Sequence, residues 1–219
     1  MSGQTKGTVH AGNRGPLAEQ VALVTGGSRG IGRAIAQRLA ALGAGVGVCA
    51  RDAKGLKATV ELLLAAGARA FSFVADVTRA QDVERLANAA RKALGPVNIL
   101  VNNAGLGVFG PAHERTEEEW DRVLDTNLKG VFLVSRAFLP EMIRGKNGHI
   151  INISSLAGKN TFAGGGIYCA SKWGLHGLSG CMAEDLREYG IRVSLVCPGS
   201  VATEFSPKPG QHPSRLLQP

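Results

Sequence analysis

Val21-Ala22-Leu23-Val24-Thr25-Gly26-Gly27-Ser28-Arg29-Gly30-Ile31-Gly32 is the stretch on which the fold turns. Gln20 to Thr25 is a short apolar run, β-branched in part, that suits a parallel strand buried on both faces. A glycine-rich turn follows at once. A helical pattern then runs through Ile35 and Leu39 and stops at Leu42-Gly43. Strand, glycine turn and helix, in that order, are the setting of a dinucleotide fingerprint. Glycines let the backbone turn tightly and approach a pyrophosphate, while the helix N-terminus offers free N–H groups and a positive dipole end. The spacing here is Gly-x-x-x-Gly-x-Gly with Thr25 just before it, rather than the ordinary Gly-x-Gly-x-x-Gly.

Downstream the pattern repeats. Strands are expected at 45–50, 70–75, 97–101, 149–154 and 191–197, with helices over about 54–66, 80–94 and 117–144 and a last one running on from Tyr168 to about Tyr189. Alternating strands and helices predict a single α/β domain, a doubly wound parallel sheet of Rossmann-like form with helices on both faces. The second strand ends in Ala50-Arg51-Asp52. A nucleotide with a free ribose 2′-OH calls for an acid at this position, and one with a 2′-phosphate calls for an arginine. Ala50 stands where the acid would be, Arg51 follows it, and Arg29 can reach the same phosphate, so NADP(H) is favoured over NAD(H). Asp52 argues the other way, but it lies past the strand and is read as starting the next helix. Asp76, at the end of the third strand, can bond an adenine amino group or start a helix. Asn102 and Asn103 follow a buried strand and need partners. They are expected to tie strands together under the nucleotide. Asn127, in the middle of a long helical stretch, suggests a kink that frees a carbonyl for water, or simply a satisfied amide.

Ser155 to Lys172 carries the chemistry. Tyr168 and Lys172 are four apart, so a helix puts both on one face. An ammonium beside a phenol is expected to lower its pKa, which makes the tyrosine a proton shuttle. Ser155 follows the apolar run 149–154 and can hydrogen-bond the same carbonyl oxygen.

Composition narrows the function classes. The chain has 219 residues, is 44% hydrophobic and 19% charged, and carries a formal net charge of +8. The arginines are scattered without a stripe, which speaks against nucleic acid as a partner and for a small phosphorylated ligand. The four cysteines (Cys49, Cys169, Cys181 and Cys197) show no Cys-x-x-Cys and no metal-ligand spacing. Cys49 and Cys197 are expected to be buried thiols without a disulfide, in a reduced, cytoplasmic protein. No apolar run reaches the length of a membrane span. Residues 1–18 read as a flexible tail, 19–204 as the folded domain and 205–219 as a loop or tail.

Taken together, Thr25 to Gly32, Asn102-Asn103-Ala104-Gly105, Asn127, Ser155, Tyr168-x-x-x-Lys172 and Pro198-Gly199 resemble the short-chain dehydrogenase/reductase family over roughly residues 19–204. The resemblance implies hydride transfer between NADP(H) and a small carbonyl or alcohol. Tyr168 would be the acid/base, and Lys172 would tune it and hold the nicotinamide ribose. Ser155 would orient the carbonyl, and Asn127 would hold a relay water. Cofactor contacts would fall at Gly26, Ser28, Arg29, Gly30, Ile31, Gly32, Arg51, Asp76, Val77, Asn103, Ala104, Gly105, Tyr168, Lys172, Pro198, Gly199, Val201 and Thr203. No metal is implied, and a homo-oligomer is. Relatives run further past Pro198-Gly199, so 205–219 would begin an incomplete substrate-covering segment. A 3-oxoacyl-[acyl-carrier-protein] reductase is one subclass in view, with Lys146 as a basic contact and Tyr189 where a second basic residue is expected. The competing reading is a nucleotide-sensing or scaffold protein that binds NADP(H) with little turnover.

Overall fold

The computed structural model describes residues 15–205. Among the described residues, six parallel strands form one sheet in the order β3-β2-β1-β4-β5-β6. They are β1 (Val21–Thr25), β2 (Gly45–Ala50), β3 (Ala70–Val74), β4 (Ile99–Asn102), β5 (Gly148–Ile153) and β6 (Ile191–Val196). The connecting helices are α1 (Gly30–Ala41), α2 (Ala53–Ala65), α3 (Ala80–Leu94), α4 (Glu117–Leu124), α5 (Gly130–Gly145) and α6 (Gly166–Asp185).

Strand alternation explains the two layers. In β1, Ala22 and Val24 face one core with Ala36 and Ala40 of α1 and Leu56, Val60 and Leu63 of α2. Val21 and Leu23 face the other, with Leu86 and Ala90 of α3, Phe138 and Met142 of α5 and Met182 of α6. A strand buried on both sides has to read as a continuous apolar run, and β1 does. The chain winds outward from β1 through β2 to β3, then returns to β4 on β1's other side. That reversal opens a crevice at the carboxyl ends of β1 and β4, where doubly wound sheets hold ligands.

The expected tail over 1–18 is too long. Gly15–Ala18 is part of the fold: the Leu17 N–H donates to the Leu42 carbonyl at 2.9 Å, and Leu17 packs against the core. Residues 1–14 and 206–219 lie outside the described residues. Among the described residues no helix is long and apolar enough to cross a membrane.

Candidate active site

A cleft of about 810 Å³ opens at the carboxyl ends of the strands. Every proposed cofactor contact lines it, from Gly26 through Arg51, Asp76 and Asn103 to Thr203, as do Ser155, Tyr168 and Lys172. Asn127 alone among the expected site residues stands behind the wall.

The glycine turn is shaped for close approach. Gly26 and Gly30 have φ of 65° and 53°, and a Cβ on Gly26 would come within 2.9 Å of the Ala104 Cα. Asn103 holds this arrangement: its Nδ2 donates to the carbonyls of Thr25 at 2.9 Å and Gly26 at 3.2 Å. Asn102 ties the sheet itself, donating to Asn152 Oδ1 at 2.9 Å and Ser135 Oγ at 3.0 Å. The paired asparagines therefore do the tying expected of them, one under the turn and one between β4 and β5.

A nicotinamide dinucleotide fits what is present. Helix α1 starts at Gly30 with no side-chain cap and no acid in its first turn, so its N-terminal N–H groups are open to a phosphate. Arg29 and Arg51 are exposed at the cleft beside Ala50. Asp52 is the N-cap position of α2, as expected, but it lines the cleft too. Asp76 accepts from the Thr78 N–H at 3.0 Å and hydroxyl at 2.8 Å, a local turn ahead of α3.

Tyr168 and Lys172 lie in the first two turns of α6, with the Lys172 ammonium 5.8 Å from the Tyr168 ring centre. Lys172 is 5% exposed and donates to the Ile153 carbonyl at 2.9 Å. Burial holds its pKa down to about 8, against an opposing pull from Cys197. The expected depression of the phenol does not appear. Burial pushes Tyr168 up, and the hydrogen bond from Ser155 only partly opposes it. Charge proximity alone missed this, because withdrawing a phenolate from water costs more than Ser155 returns. The result is a phenol that keeps its proton at neutral pH, the form needed to protonate an oxygen.

Asn127 sits in a π turn, Asp125–Lys129, between α4 and α5. The Gly130 N–H reaches back to the Asp125 carbonyl, one residue further than in an α-helix, so the hydrogen-bond ladder widens there. The Asn127 side chain is fully used. Its Oδ1 accepts from the Leu106 N–H at 2.9 Å, and its Nδ2 donates to the Leu106 carbonyl at 2.8 Å and Ser171 Oγ at 3.0 Å. Ser171 in turn donates to the Tyr168 carbonyl at 2.7 Å, so the π turn is pinned to α6. Ser171 was not singled out from the sequence, where a serine beside a lysine on a helix carries no signal.

Three phenylalanines were also missed. Phe109, Phe162 and Phe205 all line the cleft around Tyr168, whose ring centre is 5.4 Å from that of Phe109 and 6.0 Å from that of Phe205. Phe205, read as the start of a tail, is thus part of the wall.

One expectation about the thiols fails. Cys197 is only partly buried, since it lies past the end of β6, the edge strand among the described residues, with its sulfur 3.6 Å from His176 Nε2. Cys49 is fully buried, with its thiol pushed up to about 12 by burial, and all four cysteines are free. Lys146 is not at the cleft. It caps α5 just before β5, with its carbonyl 3.5 Å from where a Gly190 Cβ would be, at the end of the strands opposite to Tyr168. Tyr189 lies beside it, ahead of β6. Among the described residues no group of three or more His, Cys, Asp or Glu could hold a metal ion.

Residues 20–213 match the family described as short chain dehydrogenase. The chain is 39% identical to the 3-oxoacyl-[acyl-carrier-protein] reductase FabG of Staphylococcus epidermidis over 84% of this chain and 76% of that protein. A metagenomic short-chain oxidoreductase solved in complex with NADP is 52% identical, with a TM-score of 0.81 over 85% of each chain. A short-chain dehydrogenase/reductase of Burkholderia phymatum solved in complex with NAD is 38% identical, with a TM-score of 0.83 over 85% of this chain and 67% of that one.

Proposed function

Because the chain belongs to the short-chain dehydrogenase/reductase family, we propose that it reduces a ketone to a secondary alcohol, or runs the reverse, with NADP(H). The observation that carries this reading is that Ser155, Tyr168 and Lys172 meet on one wall of the cleft, with a half-buried Tyr168 one turn before Lys172 on the same helix. When bound, the nicotinamide supplies the hydride. Tyr168 gives its phenolic proton to the carbonyl oxygen as charge builds there, and Ser155 holds that oxygen by a bond that strengthens with the charge. Lys172 would hold the nicotinamide ribose with N–H groups that the Ile153 carbonyl leaves over, and would steady the developing phenolate. A carbonyl of the π turn around Asn127 would hold the water that restores the proton through Lys172. Incubation with NADPH and a panel of ketones tests the reading. Loss of absorbance at 340 nm is expected with at least one ketone, and tight NADPH binding without any turnover would favour the sensing or scaffold role.

Preference for NADP(H) rests on Ala50, which offers no carboxylate to a ribose diol, and on Arg29 and Arg51 beside it. A charge-assisted hydrogen bond is worth roughly 1.5–3 kcal/mol. Arg51→Ala should therefore raise the NADPH dissociation constant by roughly 10–100-fold and leave that for NADH nearly unchanged. Calorimetric titration checks this, and equal affinities for the two nucleotides in the parent chain would overturn it.

A homo-oligomer in the cytoplasm belongs to the same reading. Trp120 on α4, Phe132 on α5 and Trp173 on α6 each stay about half exposed, and a second copy of the chain would cover them. Trp173→Glu is expected to shift the protein to a smaller species in sedimentation velocity. An unchanged profile would place the contact elsewhere.

A further inference from the structure

Among the described residues, the half of the cleft around Tyr168 is aromatic and, Lys172 aside, uncharged, and its rings are seated by the backbone. Phe109 stands edge-on to Tyr168 at 5.4 Å and 64°, and Phe162 lies 6.1 Å beyond Phe109. Phe205 also packs against Tyr168, its ring centre 6.0 Å away. Two glycines make room for the rings. A Cβ on Gly165 would lie 2.7 Å from the Phe162 ring, and one on Gly107 would lie 2.6 Å from Phe109 and 3.3 Å from Phe205. The loops that carry Phe109 and Phe162 are joined by a hydrogen bond from the Gly110 N–H to the Gly164 carbonyl at 2.8 Å.

Charge is distributed the opposite way. Apart from Lys172, which is buried and committed to the Ile153 carbonyl, the charged side chains on the cleft wall lie at its nucleotide end. Arg29, Arg51, Asp52 and Asp76 follow the first three strands, and Glu204 lies by Gly30, its carboxylate 3.6 Å from where a Cβ would be. Among the described residues, a substrate carboxylate or phosphate near the reacting carbon would meet no free cation and would be stripped of water against phenyl rings. A flat, uncharged ring conjugated to the carbonyl would instead find edges and faces at the spacings aromatic pairs prefer.

We propose that the preferred substrates are uncharged aryl ketones, whose ring lodges against the Phe109, Phe162 and Phe205 wall while the carbonyl oxygen meets Tyr168. This deepens the reading of the cleft as a carbonyl-reducing site and rests on it. In the reductive direction, hydride adds to the carbonyl carbon, the C=O π pair becomes the alcohol O–H with the Tyr168 proton, and NADPH leaves as NADP⁺.

The test compares acetophenone, cyclohexyl methyl ketone and a 3-oxoacyl thioester of N-acetylcysteamine, with NADPH and the full chain. Acetophenone is expected to have the higher kcat/KM by roughly tenfold. Phe162→Leu should bring its ratio to the cyclohexyl ketone close to one. Gly165→Ala should lower the same ratio by displacing the Phe162 ring, although Gly165 has an ordinary φ of −92° that alanine adopts freely and is not part of the cleft lining. A second readout does not depend on turnover: calorimetric binding of 1-phenylethanol against 1-cyclohexylethanol to the protein with NADP⁺. Equal ratios in the parent, a preference for the thioester, or a ratio unmoved by Phe162→Leu would overturn the inference. If no ketone is reduced but phenylethanol still binds roughly tenfold more tightly, the aromatic seat stands and the reductase reading falls.

Discussion

Tyr168→Phe should cost roughly 10²–10⁴-fold in ketone reduction, the usual worth of a positioned acid, while NADPH binding changes by less than about threefold. The substitution removes one oxygen and keeps the ring. The contacts of that ring with Phe109 and Phe205 hold its place, so the wall of the cleft survives. Nucleotide affinity is assigned to the glycine turn, the open N-terminus of α1 and the two arginines, none of which touches the phenol. The lost interaction is realised in the transition state, when the carbonyl oxygen gains charge and needs a proton. Stopped-flow measurement of hydride transfer and a fluorescence titration of NADPH separate the two effects. Near-normal turnover in the variant would remove Tyr168 from the mechanism. Parallel loss of NADPH affinity would mean instead that the ring had moved.

What could be read from the sequence was governed by periodicity and by sharp local geometry. The β1 run admitted only a strand buried on both faces, and Gly26 to Gly32 admitted only a tight turn into a helix. Both stand as expected, with boundaries within a residue or two. Asn127 was legible as an oddity, a poor helix residue in mid-helix, and the π turn is its explanation. The aromatic wall was not legible. Phe109, Phe162 and Phe205 are isolated in irregular segments without period, and only the folded chain brings their loops together, through the Gly110–Gly164 bond. Cys197 misled because an apolar residue at the end of an edge strand reads the same as one in a central strand. The phenol misled for a different reason. Sequence spacing reports which charges are near, but burial is a property of everything packed around a group, and at Tyr168 burial wins.

Lys172 gives the same lesson a measurable form. Its ammonium is buried and its pKa is held down to about 8, so the folded state gives up its proton before the unfolded chain does, at about 10.5. Below pH 8 both states are protonated and the cost of burying the charge is fully present. Between 8 and 10.5 the unfolded state binds more protons than the folded one, so stability rises with pH. The gain across that window is about 3 kcal/mol, at about 1.4 kcal/mol per pKa unit. Cys49 acts with the opposite sign, since its folded pKa of about 12 lies above its ordinary value of 9.0 and stability falls as pH rises between them. Comparison with Lys172→Met removes that contribution, because Cys49 is common to both proteins. Urea unfolding of the nucleotide-free proteins from pH 7 to pH 10 should show the parent gaining steadily on the variant above pH 8 and level with pH below it. Turnover should meanwhile fall by at least about 100-fold in the variant, with weaker NADPH binding as well, because the ammonium serves both the ribose and the phenol. A stability difference flat across the whole range would mean that the lysine is solvated, and its proposed hold on the nicotinamide ribose from beneath Tyr168 would go with it.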